Sequence, residues 1–136
     1  MSIEIKRIYD QTDAGDGKRI LVDRLWPRGM TKERAALYLW MKDIAPSPAL
    51  RVWFGGDPKK FDEFSRRYME ELDTDPTKQG AVSQLLEICR NEKLTILYAS
   101  REPLINHAII IMNYLQKKLA DGTEAGQGSR TLTAIT

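Results

Sequence analysis

Two short runs constrain this chain more than anything else in it: Arg19 to Trp26 and Leu94 to Ser100. Each is nearly continuous in apolar residues (Ile20, Leu21 and Val22 in one; Leu94, Ile96, Leu97 and Tyr98 in the other) and too short for a helix. That pattern belongs to strands buried on both faces, which occur where a parallel sheet is covered on each side. A third run, Ile3 to Tyr9, alternates apolar with charged residues and reads as a half-exposed strand. Helical patterns separate the runs. The chain is therefore expected to form one α/β domain over residues 1–120: a small, mostly parallel sheet of three to four strands flanked by helices, with Rossmann-like layering.

The punctuation between the strands is clear in most places. Pro27 ends the second strand because it cannot donate to a ladder. Leu37, Trp40, Met41 and Ile44 fall at helical spacing, so a helix is predicted from a Thr31 cap to Ile44, stopped by Ala45 to Pro48. Asp57-Pro58 and Asp75-Pro76 each read as N-cap plus first helical residue. The first opens a helix burying Phe61, Phe64, Tyr68 and Leu72, and the second one burying Val82, Leu85, Leu86 and Cys89. Pro103 is expected to open the last helix, with Leu104, Ala108, Ile111, Leu115 and Leu119 inward. The loop Asp10 to Lys18 is short for a parallel crossover, so length alone pairs the first two strands as a hairpin. From Asp121 onward periodicity is lost, and residues 121–136 are expected to be a disordered or extraneous tail.

Composition narrows the function classes. Across 136 residues, 21 Lys and Arg face 19 Asp and Glu, a net charge of +2 that argues against a nucleic-acid coat. One Cys excludes an internal disulfide framework, and one His excludes a paired-histidine metal site. No metal or cofactor is implied, and oligomeric state is not indicated. The N-terminus lacks a signal-peptide pattern, and the apolar stretch Ala108 to Met112 is far below membrane-spanning length. A cytoplasmic protein without membrane contact is expected.

Parallel α/β sheets bind ligands beyond the carboxyl ends of their strands. Two such ends are loaded here. After the second strand come Asp23, Arg24, Trp26 and Arg28; after the third come Tyr98, Ser100, Arg101, Asn106 and His107. Guanidinium forks beside helix N-termini suit phosphate or carboxylate. Arg24, Trp26, Arg28, Tyr98, Ser100, Arg101 and Asn106 are thus candidates for holding an anionic small molecule, phosphorylated or nucleotide-like, and Asp23 or His107 for moving a proton. Whether the chain is an enzyme is left open. Plainer readings stand beside these: Asp23 pairing with a neighbouring Arg, His107 bonding a carbonyl, Arg28 solvated. Asp10, Asp13 and Asp16 lack calcium-loop spacing and read as a solvated turn; Gly15 to Lys18 is no phosphate loop; Cys89 reads as a core thiol. The alternative is a non-enzymatic module that binds protein or nucleic acid through Trp53, Phe54, Arg66 and Arg67.

The run Leu21-Val22-Asp23-Arg24-Leu25-Trp26-Pro27-Arg28-Gly29 resembles the signature of the YeaO-like family of bacterial proteins, within the group called domain of unknown function 488. The likeness continues through Lys6 to Asp10, Ala45 to Ser47, Leu50 to Phe54, Phe64 to Tyr68, Leu97 to Ser100 and Asn106 to Ala108, spanning roughly Ile3 to Leu119. It departs at Gly56, where a His often precedes the Asp-Pro, and at Phe61, often Trp. The missing His argues against a mechanism with two imidazoles. The resemblance implies parallel first strands joined by a shortened crossover, against the hairpin that loop length suggests. It adds weight to Asp23, Arg24, Trp26, Arg28, Tyr98, Asn106 and His107 without assigning a reaction.

Overall fold

The computed structural model describes residues 2–126 of the chain. Four strands, β1 (Ile3–Arg7), β2 (Lys18–Leu21), β3 (Leu39–Trp40) and β4 (Leu94–Tyr98), form one sheet in the order β1-β4-β2-β3, with every pairing parallel. The mixed α/β architecture expected of the sequence is therefore present. The two apolar runs are the two central strands, and Ile20, Leu21, Leu94, Ile96 and Leu97 are fully buried.

β1 and β2 are not a hairpin. β4 lies between them, pairing Ile5 with Ile96 on one side and Ile20 with Ile96 on the other. The connection from β1 to β2 crosses β4 without a helix, which its ten residues leave no room for. A 3-10 turn at Ala14–Asp16 does the packing instead, capped by the Asp13 side chain accepting from Gly15 N–H at 2.7 Å. Thr95 of β4 donates its hydroxyl to the Asp16 carbonyl at 2.6 Å. Asp16 is buried, contrary to the solvated turn expected of this loop: its carboxylate takes Lys6 Nζ at 3.0 Å and Arg19 Nη1 at 2.7 Å. Ion pairs fasten the Asp16 turn to the sheet, while Ile8 at the start of the crossover packs into the core.

The α-helices among the described residues are α1 (Lys32–Ala35), α2 (Pro48–Phe54), α3 (Phe61–Thr74), α4 (Pro76–Asn91) and α5 (His107–Gly126). The Asp-Pro starts hold. Asp57 caps a 3-10 turn that runs into α3, and Asp75 caps α4 by accepting from Thr77 N–H at 3.0 Å. Phe64, Tyr68, Leu72, Val82, Leu85, Cys89, Ala108, Ile111 and Leu115 meet Ile20, Leu94, Ile96 and Tyr98 in the main core on one face of the sheet. The other face is covered by Ile8, Met30 and Ala35 around Leu21 and Leu97.

The helix predicted over Thr31 to Ile44 is not continuous. Thr31 does cap α1, but Ala36 turns left-handed (φ 47°) after one turn, and the chain then runs extended through β3. Of the residues that mimicked a helical stripe, Trp40 lies in β3 and Ile44 in the 3-10 turn Lys42–Ile44 after it, while the backbone is held against β2: Tyr38 N–H bonds to Arg19 O at 2.7 Å and Met41 N–H to Leu21 O at 2.8 Å. Ser47-Pro48, read as part of a stop, instead opens α2 with Ser47 accepting from Leu50 N–H. The last helix begins at His107, not Pro103, and leaves Leu104 78% exposed. It continues to Gly126, past the expected end at Leu119; the remainder of the proposed tail, 127–136, lies outside the described residues.

Candidate functional site

A cleft of about 590 Å³ opens at the carboxyl ends of β2 and β4. Its β2 side exists because the chain leaves the ladder after Val22, whose N–H still reaches Leu97 O at 3.1 Å. Two indoles then pin the departing loop. Trp40 donates to Asp23 O and Trp26 to Met30 O, each at 2.8 Å, and the rings meet edge to face at 5.3 Å. On the β4 side, Asn106 caps α5: its Oδ1 accepts from Ile109 N–H at 3.1 Å and its Nδ2 donates to Glu102 O at 2.7 Å. The N-terminal, partially positive end of a long helix consequently faces the cleft.

Asp23 and His107 meet at the floor. Asp23 Oδ2 accepts from Ala99 N–H at 3.2 Å, while Oδ1, buried and without a hydrogen bond, stands 3.5 Å from His107 Nε2. That same Nε2 lies 3.0 Å from Val22 O. A carbonyl only accepts, so Nε2 carries the proton and donates. Asp23 therefore pairs with an imidazole and a backbone amide, not with the arginine a plainer reading supplies, and His107 does bond a carbonyl. Burial pushes Asp23 above its usual carboxyl range, partly opposed by His107, Ala99 N–H and Arg51. Burial also pushes His107 below the ordinary imidazole value, partly opposed by Asp23 and the Val22 carbonyl and reinforced by Arg51.

Both groups thus lean toward neutrality. As pH falls below about 6.5, the unfolded chain gains a His107 proton that the folded chain refuses, so stability declines there. Asp23 acts oppositely in a lower window: just above its ordinary value the folded carboxyl still holds a proton the unfolded one has released. Because Asp23 raises the His107 value, Asp23→Asn is expected to lower it further. Long-range nitrogen–proton NMR of the imidazole across pH checks this; an unchanged or raised titration midpoint contradicts it.

Three arginines surround the floor. Half-buried Arg24 donates Nη2 to Pro46 O at 3.4 Å, and its Nε is buried with no hydrogen-bond partner. Arg28, on the loop after β2, and Arg51, on α2, line the cleft and are exposed. Against them stand two carboxylates, Asp23 and Glu102. Phe54, stacked on Phe64 at 4.1 Å between centroids, makes an apolar wall.

Of the residues singled out from sequence, Asp23, Arg24, Trp26, Arg28, Ser100, Asn106 and His107 all line this cleft. Tyr98 does not. The strand's twofold alternation turns it with Leu94 and Ile96 into the main core, where it is 5% exposed. Arg101 lines an adjoining depression instead. Sequence reasoning passed over Arg51 and Glu102 as site residues. Arg51 was visible only as part of the Leu50 to Phe54 match, and the Ser47 cap would have placed it on a helix. The residues of the alternative surface are largely engaged. Arg66 and Arg67 pair with Glu63 at 2.6 and 2.8 Å, Arg67 also lies 4.4 Å over the Trp53 ring, and Phe54 faces the cleft.

Among the described residues no helix is long and apolar enough to cross a membrane. No solved structure matches the chain. It is 40% identical over 116 residues to the uncharacterized protein YeaO of Escherichia coli K12, which covers 85% of this chain and 98% of that one. It is 36% identical over 113 residues to the uncharacterized protein Rv3073c of Mycobacterium tuberculosis H37Rv, covering 83% of this chain and 92% of that one. The family model described as the inactive DUF488-N3 subclade matches residues 2–132. With the Asp23–Gly29 loop forming one wall of the cleft and similarity running through nearly the whole chain, the protein belongs to the YeaO-like DUF488 family, in that subclade.

Proposed function

We propose that the cleft holds a phosphorylated or nucleotide-like small anion, and holds it without turning it over. The observation that carries this reading is Arg24, whose buried Nε lacks a partner at the wall of a cleft where three arginines face two carboxylates. A buried guanidinium N–H left unbonded is costly, and a shift of the side chain toward the cleft lets a phosphate oxygen satisfy it. The N-terminus of α5 adds a partial positive charge, and the Phe54 ring offers a flat apolar face to a base or sugar.

Binding without chemistry is supported by the floor. His107 spends its Nε2 proton on a backbone carbonyl, and Asp23 is bonded to a backbone amide. Gly56 lines the cleft where the family pattern often carries His, so a second imidazole is missing from its lining. The description of the subclade as inactive agrees with this.

Calorimetric titration with AMP, glucose 6-phosphate and inorganic phosphate tests the reading. Wild type is expected to bind at least one of them, and Arg24→Ala to weaken that binding by about 1.5–3 kcal/mol, the cost of a charge-assisted hydrogen bond. Wild-type affinity retained in Arg24→Ala and Arg28→Ala, or no binding by the wild type, overturns it.

A further inference from the structure

Beside the main cleft lies a second depression of about 440 Å³, lined by Arg7, Tyr9, Arg28, Ala99 and Arg101. Tyr9, Arg28 and Ala99 line both, so the two adjoin. We propose that this depression is a second anion subsite and that the ligand of the cleft carries several linked anionic groups, the chemistry of a polyphosphate chain on a small molecule. The inference rests on the anion-binding reading of the main cleft and extends it.

Three of the five lining residues are arginines, and no carboxylate lines the depression. Like charges gathered in a concave wall repel one another, and a bound anion relieves that repulsion while the concavity focuses the field on it. The arrangement is also preorganised. Arg7 donates Nε to Ser100 O at 3.0 Å and lies 4.6 Å over the Tyr9 ring, which orients its two Nη groups while leaving them without a hydrogen bond among the described residues. Tyr9 in turn donates its hydroxyl to Arg28 O at 2.7 Å, fixing the backbone of the arginine shared by both depressions. Asp10, the acid next to this wall, accepts from the Arg7 backbone N–H at 3.2 Å instead of pairing with its guanidinium. Arg101 is exposed and forms no ion pair among the described residues.

Guanidinium forks match phosphate oxygens two at a time, and Arg28 stands where one phosphate ends and the next begins. A small molecule fits better than a nucleic-acid strand. The chain's net charge is only +2, and of the exposed arginines elsewhere Arg66 and Arg67 are already paired with Glu63.

The test is calorimetric titration with AMP, ATP, inorganic tripolyphosphate and a twelve-residue deoxythymidine oligonucleotide, at low salt without divalent cations. ATP is expected to bind wild type at least tenfold more tightly than AMP. Arg101→Ala, an exposed substitution that does not threaten folding, is expected to abolish most of that advantage while changing AMP affinity less than twofold; Arg101→Lys is expected to retain part of it. AMP binding with no gain for ATP or tripolyphosphate overturns the subsite and leaves the main-cleft reading standing. An equal loss for AMP and ATP in Arg101→Ala also overturns it. Failure of all the phosphates to bind wild type removes both readings, and an oligonucleotide that binds more tightly than ATP in an Arg101-dependent way replaces the small molecule with a strand.

Discussion

Replacing Gly17 with alanine is expected to destabilise the protein by about 3–5 kcal/mol, a large part of the roughly 5–15 kcal/mol that holds such a domain together. Gly17 has φ 68° and ψ −135°, a conformation essentially reserved for glycine. Its Cα also sits against the partner strand: an added Cβ falls 2.3 Å from the Lys93 carbonyl oxygen and 2.9 Å from its carbon. That carbonyl accepts from Lys18 N–H at 2.9 Å, the bond that starts the pairing of β2 with β4. Backbone cannot swing aside as a flexible side chain does, so the first rungs of the ladder must open. Gly56→Ala separates strain from collision. Its φ of 75° is also positive, but nothing lies within 4 Å of the new Cβ, and a loss of about 1–2 kcal/mol is expected. Urea denaturation of the two variants reads the difference; equal midpoints would refute the collision.

Removing Asp16 comes next. Its carboxylate, 4% exposed, neutralises Lys6 and Arg19, whose side chains are 19% and 5% exposed, and Arg19 Nη2 already lacks a hydrogen bond. Asp16→Ala leaves two cations facing each other under the crossover, at an expected cost of about 3–5 kcal/mol. Although burial alone raises it, the Asp16 carboxyl is held below its ordinary value by the Asp13 backbone N–H, Lys6 and Arg19. The contribution is therefore complete above the unfolded carboxyl value and fades as pH falls through the lower, folded one. Acid unfolding of wild type should steepen below about pH 4, and Asp16→Ala should lose that component while already weakened at neutral pH. A double substitution, Asp16→Ala with Lys6→Met, should recover part of the loss; no recovery would place the cost in the turn itself.

Much of the scaffold was legible from residue pattern. Continuous apolar runs gave away β2 and β4, and the Asp-Pro starts gave away α3 and α4, because each depends on neighbours close in sequence. The segment from Thr31 to Ile44 misled for the opposite reason. Leu37, Trp40, Met41 and Ile44 keep helical spacing, but the exposed edge of β2 offered Arg19 O and Leu21 O, and those two bonds outweighed local preference. No Gly or Pro marks the break at Ala36. The candidate site divides in the same way. Residues on the two strand-end loops were found together because parallel strands bring their ends together. Arg51 reaches the cleft from a helix that contributes nothing to the sheet, and Tyr98 missed it by one step of strand alternation.

The order β1-β4-β2-β3 also sets a schedule for synthesis. Both β1 and β2 pair with β4, so β1 has no partner, and β2 only the two-residue β3, until residues 94–98 have been made. While the first ninety or so residues emerge, two strands wait with open edges, guarded meanwhile by Glu4, Lys6 and Arg7 on one and Lys18 and Arg19 on the other. A chain cut short before Leu94 lacks α5 as well as the strand that joins its two cores. Such fragments are the natural substrates of chaperones and proteases, and the charged flanks of β1 and β2 are what keep them from pairing with one another first.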